Sequence, residues 1–248
     1  MSSSTSQTVY FVSGANRGLG YGIVSQLAER SDVLIFATAR DPEKATALNS
    51  LAAEKGNIVV LKLAVDSEED AKAAAQVVQE KAGKLDVLIA NAGISDSYYP
   101  AANTPVDVLK RHFDVNALGP VILFSALQSL LYKISAPKFL VVSTAGASFG
   151  LAIPMAMTGY FVSKAAVNFW LLKLAQEEGE KHNLTALALS PGWVQTDMGN
   201  KGARQMGVEA APVTLDDSVT GILKLADSST RESHGGKFWD YTGDAIPW

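Results

Sequence analysis

Ser13-Gly14-Ala15-Asn16-Arg17-Gly18-Leu19-Gly20 is the stretch that decides how this chain folds. It follows an apolar run, Thr8–Ser13 (TVYFVS), and opens an amphipathic segment, Leu19–Arg30. That order, strand then glycine-rich turn then helix, predicts the first half of a βαβ unit. Gly14 permits a tight turn, Gly18 lets a pyrophosphate approach the backbone, and Gly20 lets helix and strand pack closely. Anionic phosphates would sit against the free N–H groups at the helix start. A plain strand-to-helix turn would tolerate the same glycines, but the place after a first strand favours the anion-binding role. Gly14, Asn16, Arg17, Gly18, Leu19 and Gly20 are therefore candidate dinucleotide ligands.

Outward from this turn the same alternation continues. Val33–Ala39, Ile58–Leu63, Leu85–Ala90, Phe139–Ser143, Leu184–Ser190 and a short Lys237–Asp240 read as further strands. Most are continuously apolar, as a parallel sheet covered on both faces requires. Helices are predicted over Pro42–Lys55, Ser67–Ala82, Pro105–Tyr132, Gly159–His182 and Leu215–Ala226. The result is an α/β fold, a doubly wound Rossmann-type parallel sheet of about seven strands with helices on both faces. No repeat or Pro/Gly-rich linker divides the chain, so residues 1–248 are expected to form a single domain behind a flexible tail, 1–7. The stretches Asp96–Thr104, Ala145–Thr158 and Pro191–Pro212 follow strands and read as irregular. They should cluster at the carboxyl edge of the sheet, where open α/β folds bind ligands.

Hydrophobic residues make up 48% of the chain, enough to bury a sizeable core. A net charge of −4 gives no electrostatic footprint for nucleic acid or an anionic membrane. The absence of cysteine excludes disulfides, thiolate nucleophiles and cysteine-based zinc sites. The polar start, MSSSTSQT, lacks a secretory core, and no apolar run reaches the roughly 18 residues of a spanning helix. A cytoplasmic location is the expectation.

The end of the second strand bears on the cofactor. NAD-selective sites carry an acid there, which accepts hydrogen bonds from the ribose 2′-hydroxyl. Here Thr38-Ala39 is followed by Arg40, which would pair with a 2′-phosphate, and Arg17 would close on it from the other side. NADP(H) is favoured accordingly. Asp41, one residue later, keeps NAD open but reads better as a helix N-cap before Pro42. Asn91-Ala92-Gly93 follows the fourth strand; its small residues let the chain pass under a ribose, and Asn91 can brace the sheet end.

Tyr160 and Lys164 lie one turn apart on a single helix face. Hydride transfer to a carbonyl needs a proton donor at the oxygen. An ammonium beside a phenol lowers its ordinary pKa of about 10 towards working pH. Lys164 supplies that charge and can also hydrogen-bond the nicotinamide ribose. Ser143, at a strand end, could hold the substrate oxygen beside Tyr160. Asn116 sits mid-helix, where Asn has poor propensity. It either satisfies a kink or uses its side chain or carbonyl to hold a water linking Lys164 to solvent. Pro191, Gly192, Val194 and Thr196 would wrap the nicotinamide, with Thr196 on the carboxamide or phosphates. His112, His182 and His234 lack metal-ligand spacing and read as surface residues, so no metal is expected.

With glycine turn, Asn-Ala-Gly, Asn, Ser, Tyr-x3-Lys and Pro-Gly in this order, the chain resembles the short-chain dehydrogenase/reductase family over essentially its whole length. The closing Gly236-Lys237-Phe238-Trp239-Asp240-Tyr241-Thr242-Gly243 and Pro247-Trp248 resemble the C-factor and sniffer-type carbonyl reductases and fungal ketoreductases of aromatic polyketide pathways. The resemblance implies Tyr160 as acid/base, with Lys164, Ser143 and Asn116 as partners, and a homodimer or homotetramer. Three positions depart from the family pattern. The interval from Ser143 to Tyr160 is long, which leaves Thr144 and Ser148 as alternative hydroxyls, although Gly146 falls where Ser143 requires. The acid often found after the third strand, at the adenine, is Ala64 here, with Asp66 as its stand-in. Ala90 replaces the first Asn of Asn-Asn-Ala-Gly.

The expected activity is therefore NADP(H)-dependent interconversion of a carbonyl and an alcohol. Phe149, Met155, Met157, Trp193, Met198 and Met206 lie in loops that should border the pocket and suggest a bulky hydrophobic or aromatic ketone. A non-catalytic NADP(H)-binding regulator on the same scaffold is the alternative. The intact Tyr, Lys, Ser and Asn set argues against it.

Overall fold

Successive residues of the first strand, β1 (Thr8–Val12), enter two different cores. Val9 and Phe11 join one, Tyr10 and Val12 the other. The same period of two separates Phe139 and Val141 from Leu140 and Val142 further along the chain. A sheet with both faces buried explains why its strands read as unbroken apolar runs. The computed structural model describes residues 7–248, so most of the expected tail, 1–7, lies outside the described residues.

From β1 the chain enters α1 (Gly18–Ala28), β2 (Val33–Ala39), α2 (Thr46–Lys55), β3 (Ile58–Lys62), α3 (Glu68–Lys81) and β4 (Val87–Ala90). It continues through α4 (Val106–Phe113), α5 (Gly119–Leu131), β5 (Lys138–Val142), α6 (Thr158–His182) and β6 (Thr185–Ser190). The last elements are α7 (Asp197–Gln205), α8 (Leu215–Ser228), α9 (Arg231–His234), β7 (Phe238–Asp240) and β8 (Ala245–Ile246). The sheet order is β3-β2-β1-β4-β5-β6-β7-β8, parallel until the last pair. The winding reverses between β1 and β4, so the carboxyl ends of those two strands frame the crevice where such folds bind ligands.

The local chemistry fits the element boundaries. Ser67 caps α3 by accepting from Asp70 N (3.1 Å), ahead of three acidic residues in the first turn. Gly56 closes α2 in the left-handed region (φ +73), and Asn183 closes α6 there (φ +51). One core sheet face packs α3, α5 and α6 over Phe11, Phe36 and Phe139; the other packs α1, α2 and α8 over Val12, Ile35 and Leu187.

Several expectations are corrected. The sheet has eight strands, because a two-residue β8 pairs antiparallel with β7. The helix expected over Pro105–Tyr132 is interrupted by a π-turn, Asp114–Leu118, between α4 and α5. Val106–Leu131 is long and apolar enough by length and composition to cross a membrane, contrary to the sequence expectation. Half of its most apolar stretch is buried in the protein, where Leu123, Leu127 and Leu131 pack in the core. The interval Pro191–Pro212 contains α7 rather than being irregular. His112 is not a surface residue: it is fully buried, with Nδ1 on Val108 O (2.9 Å) and Nε2 near Ser97 Oγ (3.5 Å). Asp41 takes the N-cap position of a short 3-10 turn, Pro42–Lys44, rather than of a full helix, and makes no side-chain cap bond; its carboxylate pairs with Lys44 at 2.6 Å.

Candidate active site

The glycine turn joins β1 to β4 at the sheet's carboxyl edge. Gly14 (φ +66) and Gly18 (φ +54) both occupy the left-handed region, so Gly18 is required by conformation as well as by close approach. A Cβ on Gly14 would stand 2.9 Å from Ala92 Cβ. A Cβ on Gly20 would strike the Gly14 carbonyl and Asn91 Nδ2. Asn91 holds the junction together: Nδ2 donates to Ser13 O (2.9 Å) and Gly14 O (3.1 Å). Ser13 Oγ accepts from the backbone N–H groups of Asn91 and Ala92, each at 3.0 Å.

No side chain caps α1 at Arg17, and its first turn holds no acid. The opening N–H groups therefore face outward beside exposed Asn16 and half-buried Leu19, a cradle suited to a pyrophosphate. Arg17 is exposed and only 3.7 Å from the equally exposed Asp197, a contact of little energetic weight. Arg40, exposed just past β2, makes no ion pair among the described residues. Beyond β3, Asp66 is exposed in the turn leading to α3. The carboxylate that grips this strand end is instead Asp70, which accepts from Ala64 N (2.9 Å) and from Lys62 Nζ (3.0 Å). Those two donors, the backbone one first, hold Asp70 below the usual carboxylate range.

Tyr160 lies in the first turn of α6, half-buried, and Lys164 follows one turn on at 2% exposure. Lys164 Nζ donates to Val142 O at 2.7 Å, which carries the ammonium to the end of β5, directly beside Ser143. Ser143 is fully buried, and its Oγ has no hydrogen-bond partner. The two other hydroxyls of this segment are committed. Thr144 Oγ1 accepts from Gly146 N (3.3 Å), whereas Ser148 Oγ donates to Pro247 O (2.6 Å) and accepts from Leu151 N (3.0 Å).

Burial drives the two titratable groups apart. It pushes the Tyr160 phenol up to about 12 and Lys164 down to about 8. The phenol is thus raised by desolvation, not lowered as the Tyr–Lys spacing predicts. A lysine with a lower pKa folded than unfolded makes the unfolded chain bind more protons across the interval between the two values. Stability should therefore rise with pH from about 8 to the ordinary lysine value near 10.5. Lys164→Met is expected to remove that slope and to raise stability at neutral pH by about 3 kcal/mol at most, less the loss of the Val142 hydrogen bond. Urea unfolding between pH 7 and 10 would show it; an unchanged slope would place the titration elsewhere.

Asn116 is fully buried within the π-turn. Its Oδ1 accepts from Ile94 N (2.8 Å), and Nδ2 donates to Ile94 O (2.9 Å) and Ser163 Oγ (3.0 Å). Ser163 Oγ in turn donates to Tyr160 O (2.7 Å). The side chain is thus a clamp between the Asn-Ala-Gly loop and the first turn of α6, with both amide protons spent and one acceptor position of Oδ1 left. Ser163 completes the clamp and carried no signal in the sequence beyond being a serine inside a helix. Gly93 threads between these groups: a Cβ there would lie 3.0 Å from Asn116 Oδ1 and 3.4 Å from Lys164 Nζ.

The segment after β6 closes the site on the other side. Gly192 (φ +77) turns the chain, and Ser218 Oγ donates to Pro191 O at 2.7 Å. Val194 is buried and bridges Val213. Thr196 stands beside Gly18, whose Cβ would meet its Cγ2 at 3.5 Å. Its Oγ1 caps α7 by accepting from Gly199 N (3.1 Å), a bond the expected contact with carboxamide or phosphate would have to share. Of the residues expected to border the pocket, Phe149 is 82% exposed, with Met198 and Met206 also exposed and Met155 and Met157 half-buried.

A reversing parallel sheet, a glycine cradle at its switch point and half-buried Tyr160 beside buried Ser143 and Lys164 define an α/β oxidoreductase of the Rossmann type. The family model described as short chain dehydrogenase matches residues 8–207. A norsolorinic acid ketoreductase of Aspergillus parasiticus is 38% identical over 254 residues, covering 98% of this chain and 92% of that protein. The crystal structure of an NADPH-bound carbonyl reductase from chicken fatty liver superposes with a TM-score of 0.88 at 30% identity, covering 98% and 99% of the two chains. The carbonyl reductase Sniffer of D. melanogaster shares the fold at 24% identity, with a TM-score of 0.87 and 98% and 99% coverage. The chain belongs to the short-chain dehydrogenase family.

Proposed function

We propose that this protein is an NADPH-dependent carbonyl reductase that acts on a bulky hydrophobic or aromatic ketone. One observation carries the reading. Ser143 Oγ is buried without a partner, next to the carbonyl that holds the buried Lys164, one turn from Tyr160. A buried hydroxyl and a buried ammonium both cost stability, and such costs collect where chemistry uses the groups.

The cradle fits a dinucleotide. Gly14, Asn16, Arg17, Gly18, Leu19 and Gly20 would hold its pyrophosphate, Arg40 with Arg17 its 2′-phosphate, and Asp66 its adenine side. Asn91, Ala92 and Gly93 would underlie the ribose, with Pro191, Gly192, Val194 and Thr196 around the nicotinamide. When bound, NADPH supplies the hydride. The chain's own work is to hold the substrate oxygen at Ser143, to deliver a proton to it from the Tyr160 hydroxyl, and to keep Lys164 beside both. Asn116 and Ser163 position the turn that carries Tyr160. A phenol held near 12 keeps its proton in the resting state, as a donor for reduction must.

The relatives' names support ketone reduction and NADPH use; the aromatic preference rests on Phe149, Trp193 and the methionines at the mouth. A spectrophotometric panel of aliphatic and aromatic carbonyls, with NADPH and with NADH, tests the proposal. Turnover is expected to be highest on polycyclic aromatic ketones with NADPH. Activity confined to small polar aldehydes would defeat the substrate reading.

A further inference from the structure

The loop after β4 is pinned on both sides of Tyr98. Before it, Asp96 makes a two-pronged ion pair with Arg111 (2.7 Å for each contact), and Ser97 Oγ meets His112 Nε2 at 3.5 Å. After it, Tyr99 O accepts from Thr158 N (3.4 Å), two residues before Tyr160. Tyr98 is therefore delivered to a fixed place between the start of α6 and α7. There a Cβ on Gly202 would stand 3.5 Å from the Tyr98 hydroxyl and 3.7 Å from Trp193 Nε1. That hydroxyl is buried and has no hydrogen-bond partner. Trp193 Nε1 is already committed to Gly199 O (2.9 Å), so the indole offers this corner its apolar ring.

We infer that Tyr98 is a specificity-determining residue whose hydroxyl bonds a polar oxygen on the distal ring of an aromatic ketone, beside the ring of Trp193. This rests on the carbonyl reductase reading. An aromatic ligand carrying one polar atom would meet both chemistries of this corner. Trp193 supplies apolar surface, and the Tyr98 hydroxyl is a polar group there without a hydrogen-bond partner. Burial and the charge of Asp96 raise the phenol, so it stays protonated and can donate or accept. A site that pairs a substrate hydroxyl discriminates against the analogue lacking it, because the buried partner is then left unpaired.

The test compares acetylnaphthalene with hydroxyacetylnaphthalene carrying its hydroxyl on the distal ring, in wild type and Tyr98→Phe. With saturating NADPH, wild type is expected to favour the hydroxylated ketone in kcat/KM by about tenfold, and Tyr98→Phe to reduce that ratio to about one. An equal loss on both ketones, or an unchanged ratio, would overturn the inference. Binding of the same pair to NADP⁺-loaded protein, read from tryptophan fluorescence, needs no turnover. The same collapse of about tenfold is expected in the dissociation constants. Equal wild-type constants would overturn the role of Tyr98 even where both ketones are reduced. A clear difference without reduction of either would instead count against the carbonyl reductase reading.

Discussion

Tyr160→Phe is expected to lower the rate of ketone reduction by about 10³-fold while leaving NADPH binding within about twofold. The substitution keeps the ring, its contact with Phe161 and the first turn of α6, and deletes only the hydroxyl. No residue nearby replaces that proton. Ser143 Oγ has no donor behind it, and Lys164, although held down to about 8, is tied to Val142 O. Thr144 and Ser148 are engaged at Gly146 and Pro247. Rates under saturating NADPH, with fluorescence titration of the nucleotide, separate chemistry from binding. A loss confined to NADPH affinity would assign Tyr160 to cofactor binding alone.

The second large effect is expected from Arg40→Asp. Arg40 is exposed, makes no ion pair among the described residues and stands just past β2, where a 2′-phosphate would lie. A charge-assisted contact to a dianion contributes about 1.5–3 kcal/mol, and an introduced carboxylate adds repulsion. NADPH affinity should therefore fall by about 10²–10³-fold, with NADH changed by less than about threefold. Asp41 will not compensate, because its carboxylate is already paired with Lys44 and held below its ordinary range by that cation. Dissociation constants for both nucleotides decide the matter; equal losses would mean that Arg40 supports the loop rather than the phosphate.

Much of this was legible in the sequence, and the gaps have physical causes. Unbroken apolar strands and the glycine turn define the doubly wound sheet because both faces must be buried. The π-turn at Asp114–Leu118 escaped because one extra residue in the helix ladder leaves the apolar pattern of Val106–Leu131 nearly intact. Polar, glycine-containing α7 shows no apolar stripe, although Thr196 caps it in the ordinary way. His112 looked superficial because its burial depends on the loop before α4, which folds Ser97 and Asp96 over it. At the site, order and spacing mark Tyr160, Lys164 and Ser143 as candidates. Partners are less legible: Asn116 reads as satisfying a kink or holding a water, and only the structure shows its amide bonded to Ile94 and Ser163 across a π-turn. Tyr98 gives no signal in sequence at all, since an orphaned hydroxyl exists only once α7 is packed against the loop.

The most direct test follows the hydride. Wild-type protein is incubated with acetylnaphthalene and NADPH deuterated at the hydride position of its nicotinamide, and the product is examined by mass spectrometry and NMR. An alcohol carrying deuterium at the carbinol carbon, formed by wild type and not measurably by Tyr160→Phe, is the predicted result. Alcohol without deuterium, or equal labelled product from both proteins, would contradict a hydride-transfer site centred on Tyr160.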